Sequence, residues 1–172
     1  MPSAADAPLI LTLTLDDTSQ AYFNELRQRH FPPAINYLAA HLTLFHHLPG
    51  NELAAVSAEL QQRCQHLKAL PLRVSSVRFL GQGVAFNLEN QALRQLHLQL
   101  QDQWRPWLTA QDQHKLNPHV TVQNKVAPDV AKQLFLELSR SFQPFAATGT
   151  GLQLWHYRGG PWEEARAFRF AG

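Results

Sequence analysis

Cysteine is almost missing from this chain: Cys64 stands alone among 172 residues. That excludes an intrachain disulfide and any zinc site built on several cysteines. Charge is sparse too, at 16% of residues with a formal excess of +2. No run of like charge and no dense Lys/Arg cluster occurs, so neither a disordered tail nor a duplex-binding face is expected. No apolar run approaches the ~20 residues that span a bilayer. The start, Met1-Pro2-Ser3-Ala4-Ala5, lacks the basic region of a secretion signal. The expectation is a cytoplasmic protein, a monomer, with no membrane and no duplex DNA as partner, and with a frayed start over residues 1–8. A small anionic substrate stays open.

What is present is the makeup of a globular protein, 45% apolar and long enough for one well-buried domain or two packed halves. Alternating leucines predict a strand over 9–15, with Leu9, Leu11, Leu13 and Leu15 buried. Asp16 to Ser19 offers caps to a helix ending near His30, which Phe31-Pro32-Pro33 stops. A strand from about 41 to 48 follows, then a helix over 52–68 with Val56, Leu60 and Cys64 inward, then a strand over 71–80. Cys64 therefore reads as a small core residue. The order then starts over: strand 84–89, helix 91–108, a strand at 118–122, helix 128–142, strand 148–157 and a last strand over 165–170.

Two stretches carry the repeat. Ala40-His41-Leu42-Thr43-Leu44 and Pro118-His119-Val120-Thr121-Val122 both alternate polar with aliphatic residues, which puts the histidine and threonine on one face of a strand and the aliphatics on the other. With 9 His and 8 Thr in the chain, about 0.4 His-x-Thr triplets arise by chance, so one copy would mean little. The histidines lie 78 positions apart (119 minus 41), and the same shift carries Val56 to Leu134, Leu60 to Leu138 and Cys64 to Phe142. A shift of 75 carries Leu11 to Phe86 and Leu13 to Leu88. The expected fold is α+β: a single bilobal domain over 1–172 with two pseudo-symmetric lobes (about 9–80 and 84–170) from an internal duplication. With the leucine-rich faces packed under the helices, the opposite faces of the strands are left to whatever lies between the halves.

In such a fold the faces opposite the leucines line the space between the halves, and those positions read Thr12, Thr14, His41, Thr43, Asn87, Glu89, His119 and Thr121. A plain wet surface explains their polarity but not the repeated His-Thr pair. In-line displacement at phosphorus needs a proton taken on one side and another delivered on the opposite side. One imidazole can start neutral as general base and the other protonated as general acid, with two threonine hydroxyls donating to the non-bridging oxygens. This scheme needs no cofactor and no metal. Zinc is the competing use of two histidines; it would need a third ligand, for which Glu89 is the candidate.

His41-Leu42-Thr43-Leu44 and His119-Val120-Thr121-Val122 resemble the paired His-x-Thr-x (HxTx) motifs of the two-histidine (2H) phosphoesterase superfamily, which includes 2'-5' RNA ligase-like proteins and cyclic nucleotide phosphodiesterases. The resemblance covers essentially the whole chain and implies a duplicated, two-lobed α+β fold, with antiparallel-rich sheets facing a central cleft and helices outside. It implies a hydrolase acting in RNA processing or on nucleotides, opening a 2',3'-cyclic phosphate on a small nucleotide or an RNA end. In some members it implies a reversible 2'-5' ligation. Carried over, His41 and His119 are the acid-base pair, and Thr43 and Thr121 the phosphate donors. A chain that keeps the cleft but only binds phosphorylated or single-stranded RNA ends is the alternative. No arginine stands immediately before the first motif; Tyr37 stands nearby instead.

Strand parity adds Phe45, Trp155 and Tyr157 to the cleft face, where with Tyr37 they are candidates to touch the substrate, an aromatic ring being able to stack on a base. Arg158 and Lys125 could meet phosphate at strand ends. His46 and His47 follow the first motif and are expected to be structural or superficial.

Overall fold

The computed structural model describes residues 6–172. Its elements run β1 (Leu9–Leu15), α1 (Asp17–His30), β2 (Leu42–Leu48), α2 (Leu53–Gln65), β3 (Leu70–Phe79), β4 (Val84–Glu89), α3 (Gln91–Trp104), β5 (His119–Gln123), α4 (Pro128–Ser141), β6 (Phe145–His156) and β7 (Glu163–Arg169). The order strand, helix, strand, helix, strand thus occurs twice, with β7 appended. Part of the expected frayed start, residues 1–5, lies outside the described residues. The rest of it is fixed: Ala7 is buried, and the Pro8 carbonyl accepts from the Tyr157 amide at 2.9 Å.

Local chemistry sets the element ends. Asp16 caps α1 by accepting from the Ser19 amide at 3.0 Å, and Asn90 caps α3 by accepting from the Leu93 amide at 2.8 Å. Pro128 opens α4 at a position where its missing N–H costs nothing. The helix expected to reach Leu108 ends at Trp104. Pro106 is the reason: it has no N–H to donate to the carbonyl four residues back and its ring crowds that carbonyl, so Arg105 keeps helical angles but Arg105–Trp107 tightens into a 3-10 turn.

All seven strands join one antiparallel sheet in the order β2-β1-β6-β3-β4-β5, with β7 also on β6. Although β2 and β5 lie at opposite ends of that order, they approach each other, so the sheet curls until its two motif strands face. Strand β6 bridges the structure. Its start pairs with β3 and its remainder with β1 and β7, and Gly149 pairs with both Leu15 and Leu70 at the changeover.

The sequence repeat and the packing in space do not coincide. β3 pairs with β4 and β6, not with β1 or β2. Helix α1 packs on β5, with Phe23 against Phe86 of β4 (ring centroids 5.5 Å apart). Conversely α3 reaches back to the first half, where its His97 and Trp104 clasp Phe45 of β2. Each half thus covers its partner's strands with its own first helix. The core expected from the leucine pattern is there: Leu9, Leu11, Leu13, Val56, Leu60 and Cys64 are all buried. Burial pushes the Cys64 thiol up to about 11, which leaves it an inert core group. No helix of the described residues is long and apolar enough to cross a membrane.

Candidate active site

Both motif strands have their aliphatic residues in the core, since Leu42, Leu44, Val120 and Val122 are at most 2% exposed. His41, Thr43, His119 and Thr121 are half-buried on the other face. Each strand then carries an irregularity at the same place. In β2, Leu11 pairs with Phe45 but Thr12 with Thr43; in β5, Val84 pairs with Gln123 but Ala85 with Thr121. An extra residue on the motif strand is a β-bulge, which breaks the alternation of faces.

The bulge corrects the placement of Phe45. Parity puts it beside His41, but it points into the core with no exposed surface, stacked on His97 at 4.7 Å and edge-on to Trp104 at 5.2 Å. Its counterpart Gln123 is likewise buried, at 4% exposure. The registers also correct one offset of the repeat. Leu13 pairs with Leu42 and Phe86 with Val120, so β1 maps onto β4 by 73 positions (86 minus 13) rather than 75. A two-residue slip preserves the faces of a strand, which is why the pattern alone did not reveal it.

The two histidines are held alike. His41 Nδ1 lies 2.8 Å from the Ala39 carbonyl, and His119 Nδ1 lies 2.8 Å from the Asn117 carbonyl. A carbonyl only accepts, so each Nδ1 carries the proton and donates it. Neither Nε2 has a protein partner among the described residues, so both are open to a ligand. Burial draws the His41 pKa down to about 4, opposed by the Ala39 bond and aided by the positive charge of Arg27. His119 is lowered as well, first by burial, against the Asn117 bond, with Arg78 and His46 adding to the effect.

Arg27 was not legible as a site residue. It sits at the end of α1, 5% exposed, with its guanidinium over the Phe31 ring at 3.8 Å. Nε donates to Asn36 Oδ1 at 2.9 Å and to the Leu38 carbonyl at 3.0 Å, while Nη1 donates to the Thr121 carbonyl at 3.1 Å. One side chain therefore ties the approach to the first motif to the strand of the second.

The surroundings of the two histidines differ. Beside His41 a cavity of about 370 Å³ is lined by Tyr37, Trp155, Trp162, Gln153 and Glu164. Trp155 Nε1 donates to Thr12 Oγ1 at 2.9 Å, and the Trp162 ring sits 4.6 Å from the His41 ring. Trp162 gave no signal in the sequence, because the Gly159-Gly160-Pro161 turn reads only as a strand connection. Beside His119 a cavity of about 200 Å³ holds Thr43, His46, Arg78, His114 and Lys115. Arg78 was missed because β3 belongs to the first half in sequence and to the second in space.

Other candidates fall elsewhere. Tyr157 is exposed beyond the end of β6 and does not line either cavity. Arg158 pairs with Glu163 at 3.1 Å across the β6–β7 hairpin. Lys125 occupies the turn after β5 with φ 60°, and also lines neither cavity. Glu89 borders a neighbouring groove with Ser75 and Ser76. Among the described residues no three His, Cys, Asp or Glu side chains gather as a metal-binding group. His46 is at the surface and structurally held at once: its side chain is 46% exposed, and its Nδ1 lies 3.0 Å from Oδ1 of the buried Asp112.

No curated protein matches the sequence. Solved structures match across nearly the whole chain at low identity. TT0787 of Thermus thermophilus is 15% identical over 96% of this chain and 98% of its own, with a TM-score of 0.67. E. coli LigT in complex with 3'-AMP is 17% identical over 97% and 99%, at 0.62. LigT in complex with ATP is 19% identical over 97% and 99%, at 0.57. At such identities the likeness shows a shared fold. The sequence profile of the 2'-5' RNA ligase superfamily matches residues 15–161, a span that holds both motifs, and the chain therefore belongs to that superfamily, the two-histidine phosphoesterases.

Proposed function

We propose that this protein is a phosphodiesterase that hydrolyses 2',3'-cyclic phosphates, on a nucleotide or at an RNA end, by two-histidine acid-base catalysis. The observation that carries this reading is the matched pair of Nδ1-to-carbonyl bonds, 2.8 Å in each motif. It fixes both imidazoles with Nε2 as the reactive atom, as proton transfer on opposite sides of one phosphorus requires. LigT complexes with 3'-AMP and ATP support a nucleotide as the ligand.

His41 takes the part of general base. Its pKa of about 4 keeps it neutral near pH 7, so Nε2 can accept a proton from water as the water oxygen bonds to phosphorus. His119 then delivers the proton on its Nε2 to the ribose oxygen as the opposite P–O bond breaks. A phosphate monoester results, and proton exchange with solvent restores the pair. Thr43 and Thr121 donate to the non-bridging oxygens, where negative charge builds. The buried guanidinium of Arg27 adds fixed positive potential behind Thr121.

The test is incubation, with EDTA present, of the protein with the four nucleoside 2',3'-cyclic monophosphates and a short RNA ending in a cyclic phosphate, beside His119→Ala. Turnover by the wild type, lost in the variant, is expected. No turnover of any of them, or full activity in His119→Ala, overturns the reading and moves the site toward end binding.

A further inference from the structure

The two ends of the cleft carry different chemistry. At the His41 end the cavity is lined by three aromatic rings and by no lysine or arginine, with Glu164 at its border. At the His119 end Arg78, Lys115, His46 and His114 surround the recess that also contains Thr43. Arg78, Lys115 and His114 form no ion pair among the described residues. The carboxylate there, Asp112, is 3% exposed and spent inside. Its oxygens accept from the His46 amide (2.9 Å each), the His47 amide (2.8 Å) and His46 Nδ1 (3.0 Å). That arrangement leaves His46 Nε2 without a protein partner and hides the negative charge behind the ring. Arg78 and Asn117 continue the recess into a polar groove of about 410 Å³ lined by Ser75, Ser76 and Asn87.

We propose that the recess formed by Arg78, Lys115, His46 and His114 is a second-phosphate site, binding a phosphate that the substrate carries in addition to the one that reacts. This rests on the cyclic phosphodiesterase reading and names its substrate class: a nucleoside 2',3'-cyclic phosphate that also bears a 5'-phosphate group. The base lies at the aromatic end beside His41 and the 5'-phosphate at the cationic end beside His119. Arg78 and His46 line the same recess as His119, which places them beside the reacting centre. Guanidinium and imidazolium donors are suited to phosphate oxygens. The 5'-phosphate has two sources, a monoester on a mononucleotide or a diester in an RNA chain.

The binding test is calorimetry with adenosine 2'-monophosphate and adenosine 2',5'-bisphosphate, for wild type, Lys115→Gln and the double variant Arg78→Gln/Lys115→Gln. The quantity read is the ratio of the two Kd values within each protein, so a general loss of affinity cancels. The wild type is expected to favour the bisphosphate by tenfold or more, and the double variant by less than threefold. Equal affinities in the wild type, or an unchanged ratio in the double variant, overturn the site. Turnover is measured in parallel on adenosine 2',3'-cyclic phosphate, its 5'-phosphorylated form and the dinucleotide ending in the same cyclic phosphate. A gain in kcat/KM for either larger substrate supports the site and identifies monoester or diester as its source; turnover with no gain for both overturns it. If no substrate turns over but the Kd ratio holds, the hydrolysis reading falls and the phosphate site stands.

Discussion

Arg27 Nη1 donates to the Thr121 carbonyl at 3.1 Å across 94 positions of sequence, and so fastens the second motif strand to the loop that enters the first. The cation is buried without a carboxylate partner among the described residues, its charge spread over two carbonyls and the Asn36 side chain. Arg27→Met is expected to cost about 3 kcal/mol of stability in denaturant titrations, since hydrogen bonds from a charged donor are worth ~1.5–3 kcal/mol each and removal also relieves a buried charge. It should also raise the His41 pKa, measured by NMR titration of the ring protons. Arg27→Lys keeps the positive charge and so holds the His41 pKa down, but it does not restore the stability, because an ammonium lacks the planar fork that reaches three acceptors.

The two depressed histidines fix the form of the pH profile. Neutral His41 is gained as pH rises through about 4. Protonated His119 is lost as pH rises through a value that burial, chiefly, holds below the ordinary 6.5. The kcat/KM profile for a cyclic nucleotide is therefore expected to be bell-shaped, with its maximum on the acid side of pH 6.5 and limbs belonging to the coupled pair. A plateau extending to pH 8 would contradict the assignment of base and acid.

Thr43→Ala and Thr121→Ala should each lower kcat by roughly 10²–10³, as loss of one oxyanion-type donor does. Both residues are half-buried on the cleft face, so thermal stability should change little. Thr→Ser at either position keeps the hydroxyl and is expected to recover most of the rate.

Trp162 lies on the β6–β7 turn with its ring 4.6 Å from His41. Trp162→Ala lets water reach the imidazole and so raises the His41 pKa toward its ordinary value, and it removes a stacking platform worth ~1–3 kcal/mol to a base. The expected result is a KM for cyclic nucleotides about tenfold higher with stability nearly unchanged, read from steady-state kinetics and thermal melts.

Phe45→Ala tests the bulge. A fully buried phenylalanine replaced by alanine costs ~3–5 kcal/mol, so a large loss of stability is expected, with KM for nucleotides unaltered at temperatures where the variant is folded. A specific rise in KM would return Phe45 to the cleft.

The alternation of Leu9 to Leu15, the helical steps of Val56, Leu60 and Cys64, and the paired motifs were readable because burial of a strand or helix face imposes a period on the sequence. That period set the order of elements, the core and the shared face of each His-Thr pair. It did not reveal the bulges, since an inserted residue changes parity without changing composition, and Phe45 was misplaced for that reason. Nor did it foretell that β3 pairs with β4, or that α1 and α3 each cover the other half, because strand pairing and helix docking are decided between segments far apart in the chain. Arg27, Arg78 and Asp112 take their places beside the motif strands through that exchange, and Trp162 reaches His41 because β6 pairs with β1. The sequence by itself determined two equivalent imidazole-hydroxyl strands; the tertiary structure decided that they face each other, with aromatic rings at one end and cations at the other, because curling one sheet until its outer strands meet is how these two halves bury their apolar faces.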